Sequence, residues 1–159
     1  MSSIPYMTTA IRQLLDSKVA FSCHEYKYEE RGGTAVSSRE LGVPESVIVK
    51  TLIMETETKT PIIVLMRGDK EASTKNIARA MGVKSITPCL PETANKHSGF
   101  VVGGTSPFGT KKKMSIYMER SILDHPGVYI NGGRRGFLVK LDPREIVRVL
   151  SPVTGDFAA

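Results

Sequence analysis

Two apolar runs, residues 47–55 and 61–67, flank the short polar segment 56–59. The first run is rich in β-branched residues, which favour strands, and two such runs joined by a short polar segment predict a β-hairpin. Side chains alternate between the two faces of a strand, and in the first run both faces are largely apolar. This strand is therefore expected to lie in the centre of a sheet.

The rest of the chain shows the patterns of further short strands and helices. Strands are predicted at residues 20–27, around Ile86, and at 100–102, 114–118, 128–130 and 137–141. Helices are predicted after the capping residues Thr8 or Thr9, Ser37 or Ser38, Ser73 or Thr74, and Asp142, with another over 91–96. This order predicts an α/β (α+β) fold, in which a mixed sheet of about six or seven strands carries short flanking helices.

The length of 159 residues predicts a single domain, residues 1–159, that needs no disulfide or structural metal to fold. Cys23 and Cys89 lie far apart and show no zinc-binding spacing, so reduced thiols and no metal or cofactor are expected. No signal-peptide pattern is visible, and apolar stretches such as 62–66 are far shorter than the ~20 residues of a membrane helix. A cytoplasmic protein without a membrane partner is expected.

The net charge of +6 comes mostly from residues 101–150. Two tight basic clusters in this region lie in glycine-rich surroundings: Lys111, Lys112 and Lys113, and Arg134 and Arg135. Such clusters attract phosphate backbones, which makes nucleic acid a candidate partner. Because the chain has no tryptophan and only 6% aromatic residues, such a contact would depend on lysine and arginine. The alternative is a solvated basic face without a partner.

Lys50 is the most informative single residue, because it lies in the strand that is expected to be central. An unpaired buried ammonium is costly, so this side chain must either reach water or lie in a pocket. A lysine in a pocket is suited to hold an anion or to stabilise a transition state. The alternative is a lysine near a strand edge with its amine in water.

Two glycine-rich segments, 103–107 and 131–136, could bring backbone groups close to a ligand. The first lacks the phosphate-binding loop pattern, and each could equally be a plain turn or a hairpin loop. The histidines, His24, His97 and His125, show no nucleophile pattern with serine or cysteine. An enzyme with this sequence would therefore act by positioning and backbone hydrogen bonds rather than through a nucleophile of its own.

Three segments, 49–53, 99–112 and 129–136, resemble the YbaK/EbsC family in their order and spacing. These proteins are aminoacyl-tRNA deacylases similar to the editing domain of bacterial prolyl-tRNA synthetases, and the resemblance covers about residues 11–150. It implies a mixed, barrel-like sheet with flanking helices. It also implies a trans-editing hydrolase that cleaves the ester between a wrong amino acid and the terminal ribose of a tRNA. Cys-tRNA(Pro) is the first candidate substrate, and the thiol of the bound cysteine would attack its own ester.

The resemblance also assigns roles to individual residues. Lys50 matches the essential lysine of the family, and Gly103 and Pro107 match its GxxxP motif, so Lys50 and Gly103 are the predicted catalytic residues. The predicted substrate-binding residues are Tyr26, Gly104, Pro107, Asn131 and Gly132. The predicted contacts to the tRNA acceptor end are Lys111, Lys112, Lys113, Arg134 and Arg135. A prolyl-tRNA synthetase is a further candidate partner.

Two positions depart from the cysteine-clearing members of that family. Asn131 stands where they usually have serine, and Leu138 where they often have aspartate. The amino-acid specificity is therefore left open, and a deacylase for another small amino acid such as alanine is an alternative. A non-catalytic module of the same fold that binds tRNA or a synthetase is a second alternative. A protein that binds a small nucleotide or phosphate is a weaker third, because no phosphate-binding fingerprint is present.

Overall fold

The computed structural model describes residues 3–159, which form eight strands, five α-helices and two 3₁₀ turns. The strands are β1 (Phe21–Glu25), β2 (Val49–Thr56), β3 (Pro61–Arg67), β4 (Ile86–Pro88), β5 (Ser115–Glu119), β6 (Val128–Arg134), β7 (Phe137–Leu141) and β8 (Val153–Gly155). The helices are α1 (Thr9–Asp16), α2 (Gly33–Leu41), α3 (Thr74–Met81), α4 (Pro91–Ser98) and α5 (Pro143–Leu150). The 3₁₀ turns are Glu45–Val47 and Arg120–Asp124. None of the helices within 3–159 has the length and apolarity to cross a membrane.

The strands form two sheets. The larger has the order β4-β2-β3-β5-β8, with β2 antiparallel to both β3 and β4, and β5 parallel to both β3 and β8. The smaller is an antiparallel sheet of order β1-β7-β6. An isolated bridge between Ile48 and Tyr129 connects the two sheets where β2 begins. The predicted mixed α/β class is confirmed, although the sheets do not close into a complete barrel.

Strand β3, the second strand of the predicted hairpin, is buried on both faces. Ile63 and Leu65 point into a large apolar cluster that also contains Phe137 of the smaller sheet. Ile62 and Val64 point the other way, into a second cluster that includes residues of α3. Burial on both faces explains why this part of the sequence is apolar without interruption. The first strand of the hairpin, β2, was predicted to be central, and it lies between β4 and β3 rather than at an edge of the sheet.

Three of the predicted helix caps are present. The Thr8 hydroxyl accepts a hydrogen bond from the Ile11 amide, and the Ser73 hydroxyl accepts one from the Asn76 amide. The Asp142 carboxylate caps α5 in the same manner, with Pro143 as its first residue. These side chains satisfy amides that would otherwise lack a partner at the helix ends.

Four local predictions are wrong. Residues 100–102 form a turn rather than a strand: only Phe100 is buried, and the Val102 amide donates to the Asn95 side chain. Helix α2 begins at Gly33, before the predicted caps Ser37 and Ser38. The segment 131–136 is mostly strand, because β6 continues to Arg134 with a register shift. The short strand β8 was not predicted.

The buried carboxylate of Glu119 ties the C-terminal segment to β5. One of its oxygens accepts hydrogen bonds from the Ser121 amide and hydroxyl, and the other accepts from the amides of Phe157 and Ala158. Burial alone would raise the pKa of Glu119, but these hydrogen bonds outweigh it and hold the pKa below its usual value. The charged form is therefore the one that the fold stabilises.

The substitution Glu119→Gln is expected to lower the free energy of unfolding at pH 7 by about 2 kcal/mol, because an amide NH₂ would face buried donors. In the parent, the carboxylate stabilises the fold above its unfolded pKa, and this contribution is lost as the pH falls through the lower folded pKa. Urea unfolding at pH 7 and at pH 4 measures both effects. The difference between parent and variant should shrink at the lower pH, and a constant difference would contradict the assignment.

Candidate active site

A cavity of about 560 Å³ opens beside the bridge that joins the two sheets. Its walls come from the segment after β1, from α2, from the first half of β2, from the loop after α4, and from β6 and β7. The predicted site residues that line it are Tyr26, Lys50, Gly103, Asn131 and Arg135. The structure thus brings together residues that are up to about a hundred positions apart in the sequence. Leu138, the second position that departs from the family pattern, also lines the cavity.

Lys50 projects from β2, and its side chain is 20% exposed. The ammonium donates a hydrogen bond to the Lys70 carbonyl oxygen at 2.5 Å and lies 3.6 Å from the Glu71 carboxylate. Glu71 is itself almost fully exposed, so it can release this contact at little cost. Lys50 thus lies in the wall of a cavity, as the first alternative predicts, and its amine is paired with neighbouring oxygens.

The loop that carries Gly103 and Gly104 packs tightly between two neighbours. Gly103 is exposed and has a φ of 94°, and a Cβ there would lie 2.5 Å from the Tyr28 hydroxyl. Gly104 is buried against the backbone of Arg134 and Arg135. Only glycine fits at both places, because one needs a left-handed backbone and the other a close backbone approach. The Gly104 amide donates to the Val101 carbonyl, whereas the Gly103 amide has no partner within residues 3–159.

Asn131 connects this loop to β6. Its side-chain NH₂ donates to the Gly103 carbonyl at 3.2 Å, and its oxygen accepts from the amides of Gly133 and Arg134. These contacts hold the irregular end of β6 and the Gly103 loop in one arrangement. The neighbouring Gly132 is buried under the Phe137 ring, which leaves no room for a Cβ.

Two tyrosines from the segment after β1 also line the cavity. Tyr26 was predicted to bind substrate. Its burial, and to a smaller extent the neighbouring Tyr28, raises its pKa above the usual 10.0. Its hydroxyl therefore stays protonated at neutral pH and can donate a hydrogen bond. Tyr28 was not predicted, although its spacing of two from Tyr26 in an extended segment could have indicated a shared face. The Arg135 guanidinium lies 5.1 Å from the centre of the Tyr28 ring and donates to the Val102 carbonyl.

Three other residues of the cavity wall were also missed. Thr51 has a buried hydroxyl oxygen with no hydrogen-bond partner within residues 3–159. Thr105 and Ser37 add two further hydroxyls, whereas cysteine and histidine are absent from the described lining residues. A hydroxyl of this kind carries no distinctive sequence pattern, so only the fold reveals it.

Other predicted site residues lie outside the cavity lining. Pro107 is buried and Gly132 lies beneath Phe137, so both shape the loops rather than the cavity wall. The Arg134 guanidinium stacks 3.9 Å from the centre of the Tyr6 ring. The triple lysine, Lys111–Lys113, is exposed. It lies beside the C-terminal end of α4, where the Lys111 amide donates to the Ser98 carbonyl. The structure therefore joins one arginine of the basic clusters to the cavity and leaves the lysines apart from it.

Comparison with known proteins identifies the family. Residues 30–149, which include the whole cavity wall except Tyr26, Tyr28 and Glu29, match the model of the aminoacyl-tRNA editing domain. The chain belongs to this family. The resemblance drawn from the three sequence segments is thereby confirmed, and so is the expected class of activity, hydrolysis of an aminoacyl-tRNA.

Among curated relatives of this editing domain is the "Putative Cys-tRNA(Pro)/Cys-tRNA(Cys) deacylase EbsC" of Enterococcus faecalis (strain ATCC 700802 / V583). It is 29% identical over 152 residues, which is 95% of this chain and 91% of that protein. The proline–tRNA ligase of Thermodesulfovibrio yellowstonii is 33% identical over 116 residues, which is 72% of this chain but only 19% of the ligase. The editing domain therefore corresponds to nearly all of the first relative and to a small part of the second.

Solved structures share the fold. The crystal structure of a hypothetical protein superposes with a TM-score of 0.88 at 24% identity, over 96% of this chain and all of that one. The crystal structure described as "a putative trans-editing enzyme for prolyl tRNA synthetase" superposes with a TM-score of 0.82 at 19% identity, over 97% of this chain and 99% of that one. The arrangement of two sheets is thus the one that these proteins adopt.

Proposed function

We propose that this editing domain is a cytoplasmic trans-editing deacylase that removes cysteine from Cys-tRNA(Pro). The observation that carries the proposal is the cavity, which gathers Lys50, Gly103 and Tyr26 without a cysteine or histidine in the described lining. Such a site can hold an aminoacyl ester but offers no strong nucleophile of its own. The name of the curated relative from Enterococcus faecalis supports the choice of substrate.

The bound cysteine would supply the missing nucleophile. Its sulfur attacks the carbonyl carbon of its own ester, so a carbon–sulfur bond forms and the bond from that carbon to the ribose oxygen breaks. The ribose oxygen takes up the proton that the thiol gives up. Water then hydrolyses the cyclic thioester that has formed, which breaks the new carbon–sulfur bond and yields free cysteine. The protein's contribution is to position the ester and to stabilise the oxyanion that develops in the transition state.

We assign that role to two groups of the cavity lining. The Gly103 amide has no partner within residues 3–159 and is available to donate to the carbonyl oxygen, whereas the Gly104 amide already donates to Val101. The Lys50 ammonium would leave the Lys70 carbonyl and Glu71 to hold the ribose or the adjoining phosphate. An ammonium that exchanges one oxygen partner for another loses little in solvation.

The walls of the cavity favour a small side chain without charge. Ile48, Leu52 and Leu138 form an apolar part of the lining, and Leu138 replaces the aspartate that resembling proteins often have. A thiol or a methyl group loses little water on entering such a surface, whereas a charged group would be left without a partner. Cysteine is therefore the first candidate and alanine the second, and an editing site of this kind acts as a second sieve after the synthetase.

The basic residues would hold the tRNA. Arg135 lies in the cavity wall, where it can contact the acceptor end, while Arg134 and the exposed lysines Lys111–Lys113 would contact phosphates farther along. Phosphate contacts add affinity without reading the sequence, and they weaken with salt. The choice of tRNA would then come from a prolyl-tRNA synthetase acting as a partner.

The test is a panel of labelled Cys-, Ala-, Ser- and Pro-tRNA(Pro) incubated with the purified protein, each with and without EDTA. We expect release of cysteine to be fastest and to be unchanged by EDTA, because the proposed steps use no metal. Fastest release of alanine would instead assign the second substrate. Tight tRNA binding without release of any amino acid, with and without added synthetase, would overturn the proposal and support the non-catalytic module that the departures at Asn131 and Leu138 first suggested.

A further inference from the structure

A second cluster of reactive side chains lies outside the editing cavity. It consists of Glu55 near the end of β2, Cys89 between β4 and α4, and His97 near the end of α4. Each residue offers one possible ligand atom, and these atoms all lie within 4.8 Å of one another. None of the three lines the cavity. The proposed deacylation therefore leaves this cluster without a role.

The cluster is shielded from solvent and already ordered. His97 is buried, with 9% of its surface exposed, and its Nε2 lies 2.8 Å from a carboxylate oxygen of Glu55. Its Nδ1 lies 2.9 Å from the Lys112 ammonium. Because an ammonium can only donate, Nδ1 accepts and the ring proton is on Nε2, which donates to Glu55. The imidazole is thus held with Nε2 facing the carboxylate.

The third member, Cys89, is a protonated thiol in this arrangement. Burial, and to a smaller extent the negative charge of Glu55, raises the pKa of Cys89 to about 11. A thiol of this kind is a poor nucleophile at neutral pH, which argues against a Cys-His-Glu catalytic triad. A divalent cation would favour the thiolate of Cys89 over the thiol, because coordination to a metal stabilises the thiolate directly.

We propose that Glu55, Cys89 and His97 form a binding site for Zn²⁺. A thiolate, an imidazole and a carboxylate are the three ligand types that zinc takes in proteins, and the sulfur excludes Mg²⁺ and Ca²⁺ as preferred ions. The two anionic ligands balance the charge of the ion. Three protein ligands leave one tetrahedral position for water. The sequence alone does not indicate this site. Glu55 lies in β2, far along the chain from Cys89 and His97, and the spacing of Cys89 and His97 matches no zinc motif.

Binding requires a defined exchange of protons. The Cys89 thiol releases its proton to solvent as the bond from sulfur to zinc forms. The proton of His97 Nε2 is lost and Nδ1 gains one, so the imidazole stays neutral and the site releases one proton in total. Nδ1 can accept that proton only when the Lys112 ammonium moves away. Lys112 is exposed, so its ammonium can turn into water.

The competing possibility is that Lys112 is the permanent counter-ion of the cluster and that no metal binds. The two possibilities differ in what the substitution Lys112→Ala does. If Lys112 competes with the metal, its removal takes away a positive charge next to the site, and Zn²⁺ should bind several-fold more tightly. If Lys112 is only a counter-ion, neither the parent nor the Lys112→Ala variant should bind Zn²⁺.

The experiment uses the full chain after treatment with a chelator, titrated with Zn²⁺ by calorimetry and with Co²⁺ by visible absorption. We expect one ion per chain, one proton released, and a thiolate-to-cobalt absorption band. Cys89→Ser should abolish that band and weaken Zn²⁺ binding at least about 10-fold. Cys23→Ser is the matched control, because Cys23 is the other half-buried thiol and lies in β1.

Circular dichroism would confirm that each variant is folded, and Cys89→Ala and His97→Gln provide further variants should Cys89→Ser unfold. Absence of saturable Zn²⁺ binding to the parent would overturn the proposal. Binding that is equally strong in the Cys89 variants, or lost in Cys23→Ser instead, would overturn it too. All of these measurements record metal binding directly, so their outcome is independent of whether the chain deacylates Cys-tRNA(Pro).

Discussion

The substitution Lys50→Ala is expected to lower kcat/KM for Cys-tRNA(Pro) deacylation by about 100-fold, because the ammonium is proposed to hold the ribose or phosphate and a misplaced ester reacts about that much more slowly. Lys50 is the cationic side chain of β2 that lies in the cavity wall. No other residue of β2 carries a positive charge, so none can replace it. Single-turnover deacylation with excess enzyme measures the effect without interference from product release.

The controls separate chemistry from folding. Lys50→Met keeps most of the apolar stem and removes only the charge, so it should lose as much activity as Lys50→Ala while melting close to the parent. Lys75→Ala removes an exposed lysine of α3 and should leave the rate unchanged. Parent-like rates in both Lys50 variants would remove this lysine from the proposed mechanism, whatever the substrate.

The sequence was most informative where a local signal determines a local structure. The hairpin of β2 and β3 follows from two apolar runs and a polar turn, and helix α3 follows from a serine cap and a terminal glycine at Gly82. The end of β6 shows where a local sequence signal is misleading. Its glycines suggest a loop, but Asn131 accepts hydrogen bonds from the amides of Gly133 and Arg134 and so allows the strand to continue through a bulge.

The candidate site was predictable only in part, for the same reason. Lys50 stands out because a charge in an apolar strand needs an explanation, and the glycine-rich loops stand out by composition. Their contacts are not visible in the sequence. The hydrogen bond from Asn131 to Gly103 spans 28 positions, and, in the separate cluster of Glu55, Cys89 and His97, that between His97 and Glu55 spans 42. Such pairs become apparent only when the fold places two distant segments side by side.

The substitution Gly104→Ala is expected to reduce deacylation about 100-fold, because a displacement of roughly 1 Å in a catalytic loop has effects of that size. A Cβ at this position would lie 2.6 Å from the Arg135 amide nitrogen and 2.8 Å from the Arg134 carbonyl carbon. Backbone atoms cannot rotate away as a side chain can, so the loop or the β6–β7 turn must move. Gly103 is the preceding residue, and its amide would move with the loop.

Gly127→Ala is the matched control for this effect. Neither Gly104 nor Gly127 has a positive φ, so alanine strains the backbone at neither position. At Gly127 the nearest atom to the new Cβ is the Lys140 Cε, 2.9 Å away, which belongs to a flexible side chain that can turn aside. In Gly104→Ala the backbone must move, whereas in Gly127→Ala only a flexible side chain must move. Only Gly104→Ala should therefore lose activity.

The separate effects on kcat and KM distinguish displacement of the loop from a general loss of stability. If the Gly103 amide stabilises the oxyanion only in the transition state, its displacement lowers kcat and leaves KM nearly unchanged. Overpacking would also lower the free energy of unfolding by about 1–3 kcal/mol, which leaves the variant folded at low temperature. A folded Gly104→Ala protein with parent-like kcat would mean that the position of this loop does not govern the reaction. The oxyanion would then have to be stabilised by another group in the cavity, and the first candidate is the Thr51 hydroxyl, which has no partner within residues 3–159.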